Sequence, residues 1–163
     1  MTSLNHVQTL FERTRAGYLI STDPAKLDPE AIRGFLERSY WANTRPNEVI
    51  ARTLETSLCF GIYEREEADA AKSQVAPPTG RQVGFARVVT DYATFAWLCD
   101  VFVEEEARGQ GLGKWLVETV LAHPELQGLR RWMLATADAH ELYRQFGFRE
   151  LPAPERWMER FQP

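Results

Sequence analysis

The sequence predicts a single α/β (α+β) domain, and three observations carry that prediction. Strand-like and helix-like apolar patterns follow one another in the order strand, two helices, three strands, helix, strand, helix, strand, which is the order of a mixed α/β layer structure. The chain has 163 residues, 44% of them hydrophobic and 26% charged, enough for one real core in one domain. A glycine-rich segment, Arg108-Gly-Gln-Gly-Leu-Gly-Lys114, joins an apolar strand pattern to an amphipathic helix pattern.

Taken in order, residues 17–21 (Gly-Tyr-Leu-Ile-Ser) read as a short strand. Asp28-Pro29 reads as an N-cap and first helical residue, and Ile32, Phe35, Leu36 and Tyr40 then recur at helical spacing, giving a helix over about 29–40. After a loop from Trp41 to Arg45, Pro46 opens a second helix with Val49, Ile50, Thr53, Leu54 and Ser57 on one face. Residues 58–63 form a strand. Residues 64–80 are first charged and then rich in Pro and Gly, without apolar periodicity, and are expected to form a mobile loop between antiparallel strands rather than a domain boundary.

Strands follow over 82–89 and 95–103, with a turn at 90–94. Leu112, Trp115, Leu116, Thr119 and Val120 line one face of the next helix, which Pro124 stops. Residues 132–136 are a further strand. Asp138-x-x-Glu141 resembles a capping box opening a short helix through Phe146, ended by Gly147. Phe148 to Phe161 are expected to add one last strand, broken by Pro152 and Pro154.

The bulk numbers narrow the function. A net charge of −4 argues against nucleic acid as the main partner, because neutralising phosphates needs a basic surface. Cys59 and Cys99 sit in apolar runs and read as buried reduced thiols. His6, His123 and His140 lack metal-ligand spacing, so no metal is expected. The N-terminus has no charged-then-apolar signal pattern and no apolar run reaches membrane-spanning length, so no membrane partner and a cytoplasmic location are expected.

The glycine segment is the strongest single signal. Backbone N–H groups exposed at a helix N-terminus, aligned with the positive end of the helix dipole, bind anions, and glycines let a phosphate approach without a Cβ in the way. Two common phosphate motifs fail on residue identity. A nucleotide P-loop requires glycine at position 108 and Ser or Thr at 115, where this chain has Arg108 and Trp115. A dinucleotide fingerprint requires glycine at 114, which is Lys114.

The pattern strand–(Arg/Gln)-x-x-Gly-x-(Gly/Ala)–helix, followed by a strand and a helix bearing a tyrosine and then Gly-Phe, resembles the GCN5-related N-acetyltransferases (GNAT). Here the first motif is Arg108-Gly-Gln-Gly111-Leu-Gly113 and the second is Ala139-His-Glu-Leu-Tyr143-Arg-Gln-Phe-Gly147-Phe148, and the resemblance covers about 17–163. It implies a central, mixed, mostly antiparallel sheet with helices on both faces and a splayed parallel strand pair holding acetyl-CoA. Arg108, Gly109, Gln110, Gly111, Leu112, Gly113 and Lys114 would hold the pyrophosphate. Val101, Phe102 and Val103 would pair with the pantetheine arm in the manner of an added strand. The N–H near Val101 would polarise the thioester carbonyl, and Tyr143 would protonate the departing thiolate. Where many relatives have asparagine seven residues before the tyrosine, this chain has Thr136. Asp138 reads as the N-cap of the tyrosine's helix rather than as a catalytic acid.

On the acceptor side, Asp100-Val-Phe-Val103 resembles a segment of the spermidine/spermine acetyltransferases whose acids line the polyamine site, though Cys99 replaces the preceding acid. Asp100 is therefore read either as a ligand or proton relay for a cationic amine, or as a bulge residue paired with a buried neighbour. Strict alternation puts Trp97, Cys99, Val101 and Val103 on one face and Leu98, Asp100 and Phe102 on the other, and a bulge would reset that facing. Tyr40, Trp41, Arg45, Trp97 and Trp157 are the remaining candidates for the acceptor pocket. Glu104-Glu-Glu106 reads as a solvated turn. The expected activity is direct acetyl transfer to a small-molecule amine, by a monomer or homodimer. Alternatives are acetylation of a peptide or protein, and a coenzyme A sensor without catalysis.

Overall fold

A computed structural model describes residues 8–65 and 80–162. Residues 66–79, most of the expected 64–80 loop, and His6 lie outside that description. Six strands form one sheet in sequence order: β1 (Glu12–Arg15), β2 (Tyr18–Ser21), β3 (Leu58–Glu64), β4 (Gln82–Thr90), β5 (Phe95–Val103) and β6 (Arg131–Met133). All neighbours are antiparallel except β5 and β6, which are parallel. Helices α1 (Pro29–Glu37) and α2 (Asn47–Thr56) cover one face, and α3 (Leu112–Leu121) and α4 (His140–Arg144) the other.

Each face is sealed by its own apolar layer. Ile32, Phe35 and Leu36 of α1 and Ile50 of α2 pack on Cys59, Phe85 and Phe102 of the sheet, with Phe35 stacked on Phe102 at 4.9 Å. Leu116, Val117 and Val120 of α3 share the opposite layer with Leu58, Phe60, Ile62, Val88 and Leu98. Removing each large apolar side chain from water contributes roughly 2 kcal/mol, so the two layers hold the helices onto the sheet. Asp28 caps α1 as expected, its carboxylate accepting the N–H groups of Glu30 and Ala31, with Pro29 as first residue.

Four expectations need correction. A strand at Glu12–Arg15 lies ahead of the predicted first strand, joined to it by a turn in which Ala16 and Gly17 take positive φ. Helix α1 stops at Glu37, which releases Ser39 and Tyr40 into the connection to α2. The tail forms no strand: Pro152 and Pro154 lack the N–H donors a ladder needs, and only a 3-10 turn at Pro154–Arg156 forms. The acidic run is not simply solvated, because Glu104 pairs with Arg38 at 2.9 Å and Glu106 with Arg81 at 3.1 Å.

Candidate active site

Strands β5 and β6 pair only over Phe95–Trp97 and Arg131–Met133. Beyond Trp97 no described strand pairs with that side of β5, and the expected continuation of β6 to Thr136 leaves the ladder after Met133. The two chains part around a cleft of about 940 Å³ lined by Val101, Phe102 and Val103 on one side and by Ala135, Thr136 and Tyr143 on the other. Unpaired strand backbone at the edge of a cleft is what an extended ligand arm pairs with.

The glycine loop closes one end of this cleft. Gly109 and Gly111 have φ of 78° and 74°, left-handed conformations that side chains with a Cβ resist. Gly111 is the N-cap of α3, no side chain caps the helix, and its first turn carries no acid. The N–H groups of Leu112, Gly113 and Lys114 accordingly have no protein acceptor among the described residues. The Arg15 guanidinium adds charge here, lying 3.8 Å from where a Cβ on Gly111 would stand. Sequence reasoning missed Arg15, because β1 lies outside the motif segments and nothing local marks it. Arg108 donates from Nε to the Val103 carbonyl at 2.9 Å, and Gln110 accepts from the Tyr18 hydroxyl at 3.3 Å.

Tyr143 lines the opposite wall from the short helix α4. It is 8% exposed, and its hydroxyl has no hydrogen-bond partner among the described residues. Burial, reinforced by Tyr40 and Asp138, pushes its phenol up to about 12, so it stays protonated at neutral pH. Thr136, not Asp138, anchors the start of α4: its Oγ1 accepts the Ala139 N–H at 3.0 Å, whereas the helix N-cap residue is Ala139, with no side-chain cap. Asp138 instead accepts from the Tyr40 hydroxyl at 3.4 Å, and the same hydroxyl accepts the Ala137 N–H at 2.9 Å. Tyr40 thereby ties the α1–α2 connection to the β6–α4 connection across the cleft.

Asp100 has φ of +53°, and the β4–β5 register slips there, with Phe85 opposite Phe102 but Arg87 opposite Cys99. One extra residue on β5 makes a bulge, and the facing of the strand changes at it. Leu98 packs into the α3 layer, whereas Phe102 packs into the α1–α2 layer, so strict alternation fails between them. The Asp100 carboxylate lies on the α1–α2 side, where Oδ2 accepts from Arg45 Nη1 and from Arg87 Nε, each at 2.8 Å. Its side chain is 2% exposed. Burial alone would raise this carboxyl, but the two guanidiniums outweigh it and hold it below the usual carboxylate value. Bulge and buried pairing, the second sequence reading of Asp100, are thus both present.

The cleft also gathers Tyr40, Trp41, Arg45, Trp97 and Gly113. Trp157 is not among its walls. The 3-10 turn at Pro154–Arg156 directs it against Arg131, with the guanidinium 4.9 Å from the ring centroid, and Phe161 lines the cleft instead. Cys59 is buried and Cys99 half-buried, and burial pushes their thiols up to about 12 and about 11. A neutral thiol is a poor nucleophile, so neither offers a ready thiolate. No helix among the described residues is long and apolar enough to cross a membrane.

A mostly antiparallel sheet whose one parallel pair parts over an uncapped helix N-terminus defines the site, and comparison with known proteins identifies the family. Residues 60–150 match the family model of the acetyltransferase (GNAT) domain. The chain is similar to a GNAT-family acetyltransferase from Xanthomonas campestris, with 44% identity and a TM-score of 0.78 over 92% of this chain and 96% of that one. It is 35% identical to an acetyltransferase-like protein of Gibberella zeae over 71% of this chain and 67% of that one. It is also 28% identical to GCN5-related N-acetyltransferase 2 of Arabidopsis thaliana, over 82% of this chain and 55% of that relative. A Clostridium acetobutylicum acetyltransferase crystallised with acetyl-CoA shares the fold, with a TM-score of 0.60 at 12% identity over 88% of this chain and 94% of that one. The chain belongs to the GNAT family of acetyltransferases.

Proposed function

We propose that the chain transfers the acetyl group of acetyl-CoA directly to the amine of a small molecule. The observation that carries this reading is the single cleft holding the open edge of β5, the uncapped N-terminus of α3 and Tyr143. The N–H groups of Leu112 to Lys114, with Arg15 beside Gly111, hold the pyrophosphate. The free backbone of Val101–Val103 orients the pantetheine arm, and the Val101 N–H polarises the thioester carbonyl.

The neutral amine attacks the thioester carbon, forming the C–N bond as the C–S bond breaks. Tyr143, protonated, gives its proton to the departing sulfur and is reprotonated from solvent, while the nitrogen loses its proton to water. Asp100 is assigned a positioning role, holding Arg45 and Arg87 at the acceptor end rather than taking the amine's proton. The Tyr40 tie across the cleft supports a small acceptor over a peptide that must lie through an open groove. A panel of primary amines tests the proposal, monitored by free-thiol release from acetyl-CoA. Turnover with small amines supports it, and turnover only with peptides overturns the choice of acceptor.

A further inference from the structure

The acceptor end of the cleft carries a charge imbalance. Two guanidiniums converge on one carboxylate oxygen, so Arg45, Asp100 and Arg87 together hold one net positive charge. Asp100 is 2% exposed and Arg87 11%, whereas Arg45 is 22% exposed. All three border the cleft, and Arg45 is the most exposed of them. Arg87 also donates from Nη1 to Ser57 Oγ at 3.1 Å, but Arg45 gives only Nη1 to Asp100, leaving its Nε and Nη2 without an acceptor among the described residues. The cleft's other arginines bring acids with them: Arg38 pairs with Glu104 at 2.9 Å, and Arg108 stands 4.0 Å from Glu105.

An unbalanced guanidinium in a half-buried site attracts an anion, and its planar donor fork matches a carboxylate best. A bare ammonium placed there would meet repulsion instead. The opposite wall has the opposite sign. The Asp138 carboxylate lies there, accepting the Tyr40 hydroxyl at 3.4 Å from across the cleft. The cleft is thus positive at Arg45 and negative beside the tyrosine assigned to the leaving sulfur.

Building on the acetyl-transfer reading above, we infer that the acceptor is an aminocarboxylate, its carboxylate held by Arg45 and its amine directed toward the Tyr143 wall. This polarity is the reverse of a polyamine site, in which a free acid takes a cationic group. The aromatic rings of Tyr40, Trp41 and Trp97 supply an apolar wall for the carbon skeleton between the two charges.

The test compares each amino acid with the amine produced by its decarboxylation, for instance phenylalanine with phenethylamine and lysine with cadaverine. Thiol release gives kcat/KM, and quenching of tryptophan fluorescence in the presence of coenzyme A gives affinity whether or not turnover occurs. The acid-bearing member of each pair is expected to be favoured by about ten-fold or more, the effect of one charge-assisted hydrogen bond. Arg45→Gln removes or inverts that preference, and Arg45→Lys restores part of it. Equal or better performance of the decarboxylated amines in the unaltered protein overturns the inference, as does a preference that survives Arg45→Gln. Carboxylate-selective binding without thiol release from any pair would overturn the transfer reading and leave only carboxylate recognition by Arg45 standing.

Discussion

The hydroxyl of Tyr40 accepts the backbone N–H of Ala137 at 2.9 Å, joining two loops 97 residues apart in sequence. Tyr40 itself is 55% exposed, so little apolar burial holds it in place and this polar contact fixes its ring. Tyr40→Phe removes this bond and the longer one to Asp138, and is expected to cost about 1 kcal/mol of stability. Steady-state kinetics should show a several-fold higher KM for the acceptor and an unchanged KM for acetyl-CoA.

Tyr143→Phe keeps the ring that packs near Phe148 and deletes only the proton donor. A positioned general acid typically contributes about 10²-fold or more, so kcat should fall by that order with acetyl-CoA affinity intact. Because the phenol is pushed up to about 12, the pH profile of the unaltered protein should show no loss of rate from this group between pH 8 and about 10. A decline there that disappears in the variant would show the phenol titrating lower than its burial implies, whereas an unchanged kcat in the variant would contradict its role as the acid.

Arg15→Gln removes the cation beside Gly111 without touching either sequence motif. The KM for acetyl-CoA should rise, and its dependence on salt should weaken, since a partly exposed charge acts over a screened distance. Gly111→Ala offers a second check. It forces a Cβ onto a residue at φ of 74° and costs roughly 1 kcal/mol in the loop itself.

Asp100→Asn leaves the buried Arg87 and the half-buried Arg45 without their counter-ion. Asparagine tolerates the left-handed backbone there, so the loss reports charge rather than strain. Breaking a buried ion pair from one side costs about 3 kcal/mol, readable as a lower denaturant midpoint. The carboxyl is held below its usual value of 3.8, so this stability is present above that pH and is lost as pH falls toward the folded-state value. The variant should lack that acid-dependent segment of its stability curve.

The parts of the site legible in sequence are those fixed by residue identity. Gly109 and Gly111 had to be glycine for their backbone, and Tyr143 stands in a motif whose spacing a helix preserves. Elements whose pattern carries no apolar period were missed: Glu12–Arg15 is a polar edge strand held by its backbone ladder and by polar contacts of Glu12. The tail strand failed for a different reason, since a segment interrupted by Pro152 and Pro154 lacks the donors of a ladder. The facing of Asp100 depended on a single φ that no composition or spacing encodes. Thr136 displaced Asp138 as the anchor of α4 because its shorter side chain sits three residues before the N–H it accepts, a matter of local turn geometry.

The extra residue at Asp100 divides β5 into two halves that follow different rules of variation. Ala96 and Leu98, before it, belong to the buried layer beneath α3, while Val101 to Val103, after it, border the cleft. Because the bulge absorbs the change of phase, residues on its cleft side can be exchanged without re-registering the half that holds the sheet together. A deletion of one residue at this point would turn the second half over and exchange its apolar and ligand-facing sides. Substrate preference can therefore drift on this strand by substitution, but not by loss of length.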